Sequence, residues 1–152
     1  MAFIRVGPED FDLSAEMAAL RAEAGDIGAI ASFVGIVRAG LDAPILAMTL
    51  EHYPGMTARV MAQRAAEAEE RFALSACRII HRTGRIAVGG QIVLVLAAAA
   101  HRQAALDATG FLIDWLKVSA PFWKKEHLAE GAERWVEACE RDDAAAMRWA
   151  GR

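Results

Sequence analysis

Residues 92–100 read Ile-Val-Leu-Val-Leu-Ala-Ala-Ala-Ala, the longest stretch of the chain without a polar side chain. The run is less than half of the ~20 residues a helix needs to cross a bilayer, so it is expected to be buried inside a fold. At 152 residues, 55% hydrophobic and 24% charged, the chain is expected to form a single domain over 1–152. Its core should need no disulfide or metal staple, and disordered or fibrous classes are excluded. Seventeen Lys and Arg stand against twenty Asp and Glu, a net charge of −3, so bulk nucleic-acid binding is not expected. Met1–Pro8 lacks the basic leader and apolar core of a signal peptide. Cys77 and Cys139 form no CxxC pair, which argues against a disulfide framework or thiolate zinc. The expectation is a soluble, unprocessed, cytoplasmic protein.

Phe3–Val6 predicts an edge strand stopped by Gly7-Pro8, and Asp12 or Ser14 can cap a helix through Met17, Leu20 and Arg21, ended by Gly25. Residues 28–38 read as a buried strand emerging at Arg38, and 45–51 as a second strand after the loop 39–44. After a turn at Tyr53-Pro54-Gly55, Thr57 can cap a helix running to Phe72. Strands 77–81 and 91–100 are expected to be joined by a turn region around Thr83-Gly84-Arg85 and Gly89-Gly90. From Ala104 a helix sets Ala105, Ala108, Leu112 and Trp115 on one stripe and Asp107 and Asp114 on the opposite face, ending at Pro121. Residues 134–139 alternate as a last strand, and the tail 142–149 offers a helical turn or two. Because strands and helices alternate only in part, an α+β layer structure is expected.

Basic groups fall at the ends of these elements: Arg38, His101-Arg102, and Lys117, Lys124 and Lys125 around the Pro121 break. If the fold gathers those ends, an acidic protein acquires a cationic pocket suited to a small phosphate or carboxylate. Lys117 lies beside Leu106, Gly110 and Ile113 at the border of the apolar arc, which predicts partial burial, with Gly110 leaving room for a ligand. Desolvation and a neighbouring ammonium such as Lys124 would lower its pKa toward neutrality and make it a usable acid or base. The same spacing allows Lys117 to reach water and pair with Asp114, a contact worth about a few tenths of a kcal/mol. His52, His81, His101 and His127 lack metal-ligand spacing, so no metal is expected and capping or core roles are. Cys77 reads as a small buried hydrophobe, and Cys139 leaves a nucleophile reading open. Phe122-Trp123 and Trp135 read as core anchors rather than a platform for bases. No GxGxxG, GxSxG or Walker loop occurs.

Four strings occur in one order: Leu50-Glu51-His52-Tyr53-Pro54-Gly55-Met56, Ile80-His81-Arg82-Thr83-Gly84, Ala100-His101-Arg102, and Asp114-Trp115-Leu116-Lys117 through Ala120-Pro121-Phe122-Trp123-Lys124-Lys125-Glu126. Over about residues 28–139 the chain resembles the catalytic large subunit of molybdopterin synthase. The resemblance implies an α/β-hammerhead fold with an additional antiparallel β subdomain. It also implies a homodimer whose two ends each bind a small ubiquitin-like sulfur-carrier subunit, making a heterotetramer. The carrier's C-terminal Gly-Gly thiocarboxylate would deliver two sulfurs to cyclic pyranopterin monophosphate, giving molybdopterin without a redox cofactor. By the same resemblance Lys117 is the catalytic lysine and Lys124 its essential neighbour. Arg38, with Ile36 and Val37 before it, is the substrate-contacting strand end, and Phe33 lines the pocket. His101-Arg102 is a second anion-contacting pair, and Lys125-Glu126 continues the lysine loop. The short loop after Arg38 lacks the polar residues common in similar sequences, and Cys139 stands where they carry a basic residue, so recognition of the carrier tail is expected to differ. The rival reading is a non-catalytic dimeric module that binds a Gly-Gly tail or a phosphorylated pterin.

Overall fold

The computed structural model describes residues 1–40, 44–136 and 140–150. In chain order its elements are β1 (Phe3–Gly7), α1 (Leu13–Glu23), β2 (Ala29–Ile36), β3 (Ile45–His52), α2 (Met56–Arg71), β4 (Ala76–Arg82), β5 (Gly84–Ala87), β6 (Gln91–Ala99), α3 (Arg102–Val118), β7 (Phe122–Leu128), β8 (Glu133–Trp135) and α4 (Glu140–Met147). The long apolar run is β6, inside a four-stranded sheet of order β1-β4-β6-β2 in which only β1 and β4 run parallel. Every residue from Ile92 to Ala99 is buried. Alternation along the strand sends Val93 and Val95 toward Met61 and Ala65 of α2 and Phe111, Leu112 and Trp115 of α3. It sends Leu94 and Leu96 toward Phe11 and Leu20 on the α1 side. Both faces are covered, as an unbroken apolar strand requires, and each buried leucine contributes about 1.5–3 kcal/mol. At the far end Ala31, Ala99 and Ala105 pack together, side chains small enough for the start of α3 to approach the sheet closely.

A second sheet, order β5-β3-β7-β8, is antiparallel throughout. Two sheets mixed with helices make the fold α+β. No helix among the described residues is long and apolar enough to cross a membrane.

Asp12 caps α1, its carboxylate accepting from Ala15 N at 2.9 Å, a cap worth about 1 kcal/mol. Four expectations need correction. Thr57 does not cap α2: Gly55 turns the chain at a φ of 81°, the helix starts at Met56, and Thr57 is buried in its first turn. The glycines at 84 and 89–90 do not form one turn. Gly84, at a φ of 80°, swings the chain into the second sheet, where β5 pairs with Ala47–Leu50 before the chain returns. The lysine loop is strand β7, whose pairing comes from β3 rather than from any alternation of its own. The last strand spans only Glu133–Trp135, and Cys139 lies outside the described residues, as does the loop segment 41–43.

Candidate active site

The register of β7 on β3 decides what its lysines face. Lys124 lies opposite Leu50, and Phe122 opposite His52. Side chains directly across an antiparallel pair share a face, as do residues two apart on one strand. Lys124 therefore points with Phe122 and Leu50 to the inner side of the sheet, where Leu50 belongs to the main core. Lys125 points to the outer side, its ammonium 3.5 Å from a Glu133 carboxylate oxygen and 4.7 Å from the centre of the Trp135 ring. Glu126 is held by Arg134 at 2.7 Å.

Lys117, in the last turn of α3, shares with Lys124 a pocket of about 340 Å³ whose wall includes Phe122, Trp123, Trp135 and Asp142. Burial brings the Lys124 amine from an ordinary 10.5 down to about 8, helped by the Lys117 ammonium and opposed by the Asp142 carboxylate. The partial burial expected of Lys117 thus falls to Lys124. Lys117 sits exposed at a helix end, whereas Lys124 stands on the inner face of a sheet. Nor is Asp114 the partner of Lys117 or part of a wet face: it accepts from Trp149 Nε1 at 2.7 Å and from Arg148 at 2.9 Å. The room beside Gly110 is likewise taken by the C-terminal segment, since a Cβ there would meet Arg148 Nη2 at 3.2 Å and the Trp149 ring at 3.4 Å.

Behind the pocket His81 is buried and stacks on Phe122, ring centres 3.7 Å apart and planes 16° off parallel. Burial pushes its imidazole from 6.5 down to about 4, against the hydrogen bond to the Arg82 carbonyl, which favours the proton; Lys124, Lys117 and His52 push it further down. Trp123 and Trp135 are 40% and 52% exposed and so are not core anchors. Trp123 stands edge-on to Tyr53 at 4.6 Å, at the mouth of the pocket.

The other predicted site residues divide between the two ends of the first sheet. Ile36 pairs with Gln91 and Ala29 with Ala99, so Arg38 follows β2 at the end where β6 begins, and His101-Arg102 follow β6 at the other. At ~3.4 Å per residue, roughly 27 Å of strand separates those ends. α3 leads from Arg102 to Lys117 over roughly 22 Å at 1.5 Å per residue. Packed along the same strands, it returns Lys117 to the Arg38 end. One chain therefore gathers Arg38, Lys117 and Lys124 at one end of the sheet and leaves His101 and Arg102, both exposed, at the opposite end. Val37 is a core residue, 1% exposed, Phe33 packs against that core, and Ile36 faces outward.

A signal present in the sequence singles out the lysines. The chain has 14 arginines but only three lysines, all between 117 and 125. Arginine keeps its charge in proteins, whereas a buried lysine can lose it, so the three lysines are the chain's only basic side chains of the Lys/Arg type that burial could neutralise.

An α+β protein with one half-buried and one exposed amine lining a small pocket has a site suited to a small anion. The comparisons make this specific. The family model described as MoaE protein matches residues 6–119. The molybdopterin synthase catalytic subunit of Mesorhizobium japonicum is 52% identical over 147 residues, covering 96% of this chain and 92% of that one. Its counterpart from Rhizobium meliloti is 50% identical over 150 residues, covering 98% and 96%. A solved molybdopterin biosynthesis MoaE protein from Burkholderia ambifaria is 49% identical and covers all of both chains with a TM-score of 0.85. A complex of subunits 1 and 2 of molybdopterin-converting factor from Helicobacter pylori shares the fold, with a TM-score of 0.70 at 24% identity over 92% of this chain and 91% of that one. The chain belongs to the MoaE family and is an enzyme of molybdenum cofactor biosynthesis.

Proposed function

We propose that the chain is the sulfur-transferring subunit of a molybdopterin synthase. It would accept sulfur twice from the C-terminal Gly-Gly thiocarboxylate of a small carrier subunit and place it on cyclic pyranopterin monophosphate. The observation that carries this reading is the Lys124 amine, half-buried on the inner face of its sheet next to Lys117. In each transfer the thiocarboxylate sulfur bonds to a substrate carbon as a carbon–oxygen bond at that carbon breaks, the oxygen leaving on the opened phosphate or, once protonated, as water. Water then takes the acyl group, the acyl–sulfur bond breaks, and the tail leaves as a carboxylate. Both charge shifts suit the pocket. The ammonium of Lys117 stabilises negative charge on the acyl oxygen, and Lys124, with its lowered pKa, takes and returns a proton near neutral pH. A Gly-Gly tail, having no side chains, suits a pocket of about 340 Å³ lined by Trp123. The buried free thiol of Cys77 fits work in a reducing cytoplasm, and its pKa, pushed by burial up to about 12, leaves it no part as a nucleophile.

The carrier pairing corresponds to the two-subunit composition of the Helicobacter pylori complex. The distance between His101-Arg102 and the lysines within one chain supports a homodimer in which a second copy brings that pair to the substrate phosphate, the carrier subunits completing a heterotetramer. The test is turnover of cyclic pyranopterin monophosphate with thiocarboxylated carrier. Wild type forms molybdopterin, and Lys124→Ala and Arg102→Ala alone do not. Mixing the two variants restores part of the activity, because a mixed dimer contains one intact shared site. A wild-type protein that binds the carrier stably but forms no product would instead favour the binding-module reading.

A further inference from the structure

The string Ile80-His81-Arg82-Thr83-Gly84 has no part in the chemistry above, yet it places a buried imidazole against the segment that carries Lys124. His81 belongs to β4 in the first sheet and Phe122 to β7 in the second, so their stack joins the two sheets directly behind the pocket. Both rings are fixed from elsewhere. His81 Nδ1 lies 2.9 Å from the Arg82 carbonyl, which sets the ring plane when that nitrogen carries the proton. Phe122 lies opposite His52 in the ladder, with the two ring centres 6.2 Å apart. One residue earlier, the Pro121 carbonyl accepts from the buried Thr57 hydroxyl at 3.4 Å. Phe122 and Lys124 are two residues apart on one strand and share its inner face, so the strand position that seats the ring against His81 is also the one that carries the amine.

From this geometry we propose that His81 is a positioning residue, whose stack on Phe122 sets where β7 holds the Lys124 amine. The proposal rests on the reading of Lys124 given above. The charged and titratable groups facing His81 are Lys124 from β7, Lys117 from α3 and His52 from β3, all cationic when protonated. A neutral ring is therefore the form that belongs there, and a flat apolar ring does the same work. A displacement of about 1 Å at a reacting group is enough to lower a rate by ~100-fold.

The decisive experiment compares His81→Phe, which keeps a flat ring, with His81→Ala, which removes it. Two readouts are taken: turnover, and the titration of Lys124 followed by NMR in lysine-labelled protein. The chain has only three lysines, and the Lys124 signal is assigned by its loss in Lys124→Arg. In His81→Phe, Lys124 should titrate as in wild type and kcat should stay within about threefold. In His81→Ala, kcat should fall by about tenfold or more with KM for the carrier little changed, and the Lys124 titration should move up toward 10.5, its ordinary value, as water enters. The inference is overturned if folded His81→Ala matches wild type in both readouts. It is equally overturned if His81→Phe is as impaired as His81→Ala, since the imidazole itself would then be needed. The NMR readout requires no reaction, so it still judges the positioning role if the sulfur-transfer reading fails.

Discussion

The two sheets of this molecule handle water in opposite ways. The β1-β4-β6-β2 sheet keeps β6 from solvent on both faces and puts its one deeply buried cation, Arg78, between Glu16 at 2.8 Å and Glu23 at 2.7 Å. The β5-β3-β7-β8 sheet leaves Trp123, Trp135 and Leu46 in water and places Lys124 on its inner face. Lys124 has another ammonium beside it, and the Asp142 carboxylate partly offsets the two. The first sheet neutralises the charge it buries; the second sets a half-buried amine beside a second amine. A partly unbalanced charge costs stability and provides a titratable group, which is the arrangement expected of a site rather than a scaffold.

The largest test of this contrast is in the frame. Leu96→Ala, in the fully covered strand, should lower unfolding free energy by about 2–5 kcal/mol in chemical denaturation. Trp135→Ala, in the exposed strand, should change it by less than about 0.5 kcal/mol. Arg78→Ala should cost about 3 kcal/mol, because it leaves the Glu16 carboxylate partly buried without its partner.

The pH dependence gives a finer test. His81 binds its proton less readily in the folded chain, at about 4 against 6.5, so the unfolded state takes up more protons in that window. Stability should fall as pH drops from 6.5 to 4, and His81→Phe should remove that part of the loss. Lys124 follows the same sign at the alkaline end, with about 8 in the fold against 10.5. The deficit of wild type relative to Lys124→Met should therefore shrink as pH rises from 8 to 10.5 in paired denaturation curves. The smallest effect is expected at the pair Arg64–Glu67, 2.6 Å apart at i,i+3 on α2, where Glu67→Ala, on the more exposed partner, should change helix stability by about 0.2–0.5 kcal/mol.

The first sheet was more legible in the sequence than the second, for a physical reason. Ile92–Ala99 and Ala76–His81 carry their own hydrophobic signal, and Asp12 carries its own cap. Phe122–Leu128 has no alternation, and Gly84–Ala87 is too short to show one, so both strands exist because β3 lies between them to pair with. The error about Lys117 has the same origin. Helical spacing placed it correctly at the edge of an apolar arc, but burial depended on a strand register that only the fold supplies. The four strings pointed to the family and the lysine pair; the stack of His81 on Phe122 joins residues 41 positions apart and had no local trace. The separation of His101-Arg102 from Arg38 likewise follows from strand direction, which spacing alone does not encode.

The central claim is that facing inward on β7 turns a lysine into the working group, and the adjacent pair Lys124 and Lys125 tests it most directly. Turnover of cyclic pyranopterin monophosphate with thiocarboxylated carrier should fall by about 100-fold or more in Lys124→Ala. In Lys125→Ala, whose side chain faces Glu133 and Trp135 on the outer face, it should fall by only about a few-fold. A folded Lys124→Ala protein that still transfers sulfur at the wild-type rate, or an equal loss in both variants, would contradict it.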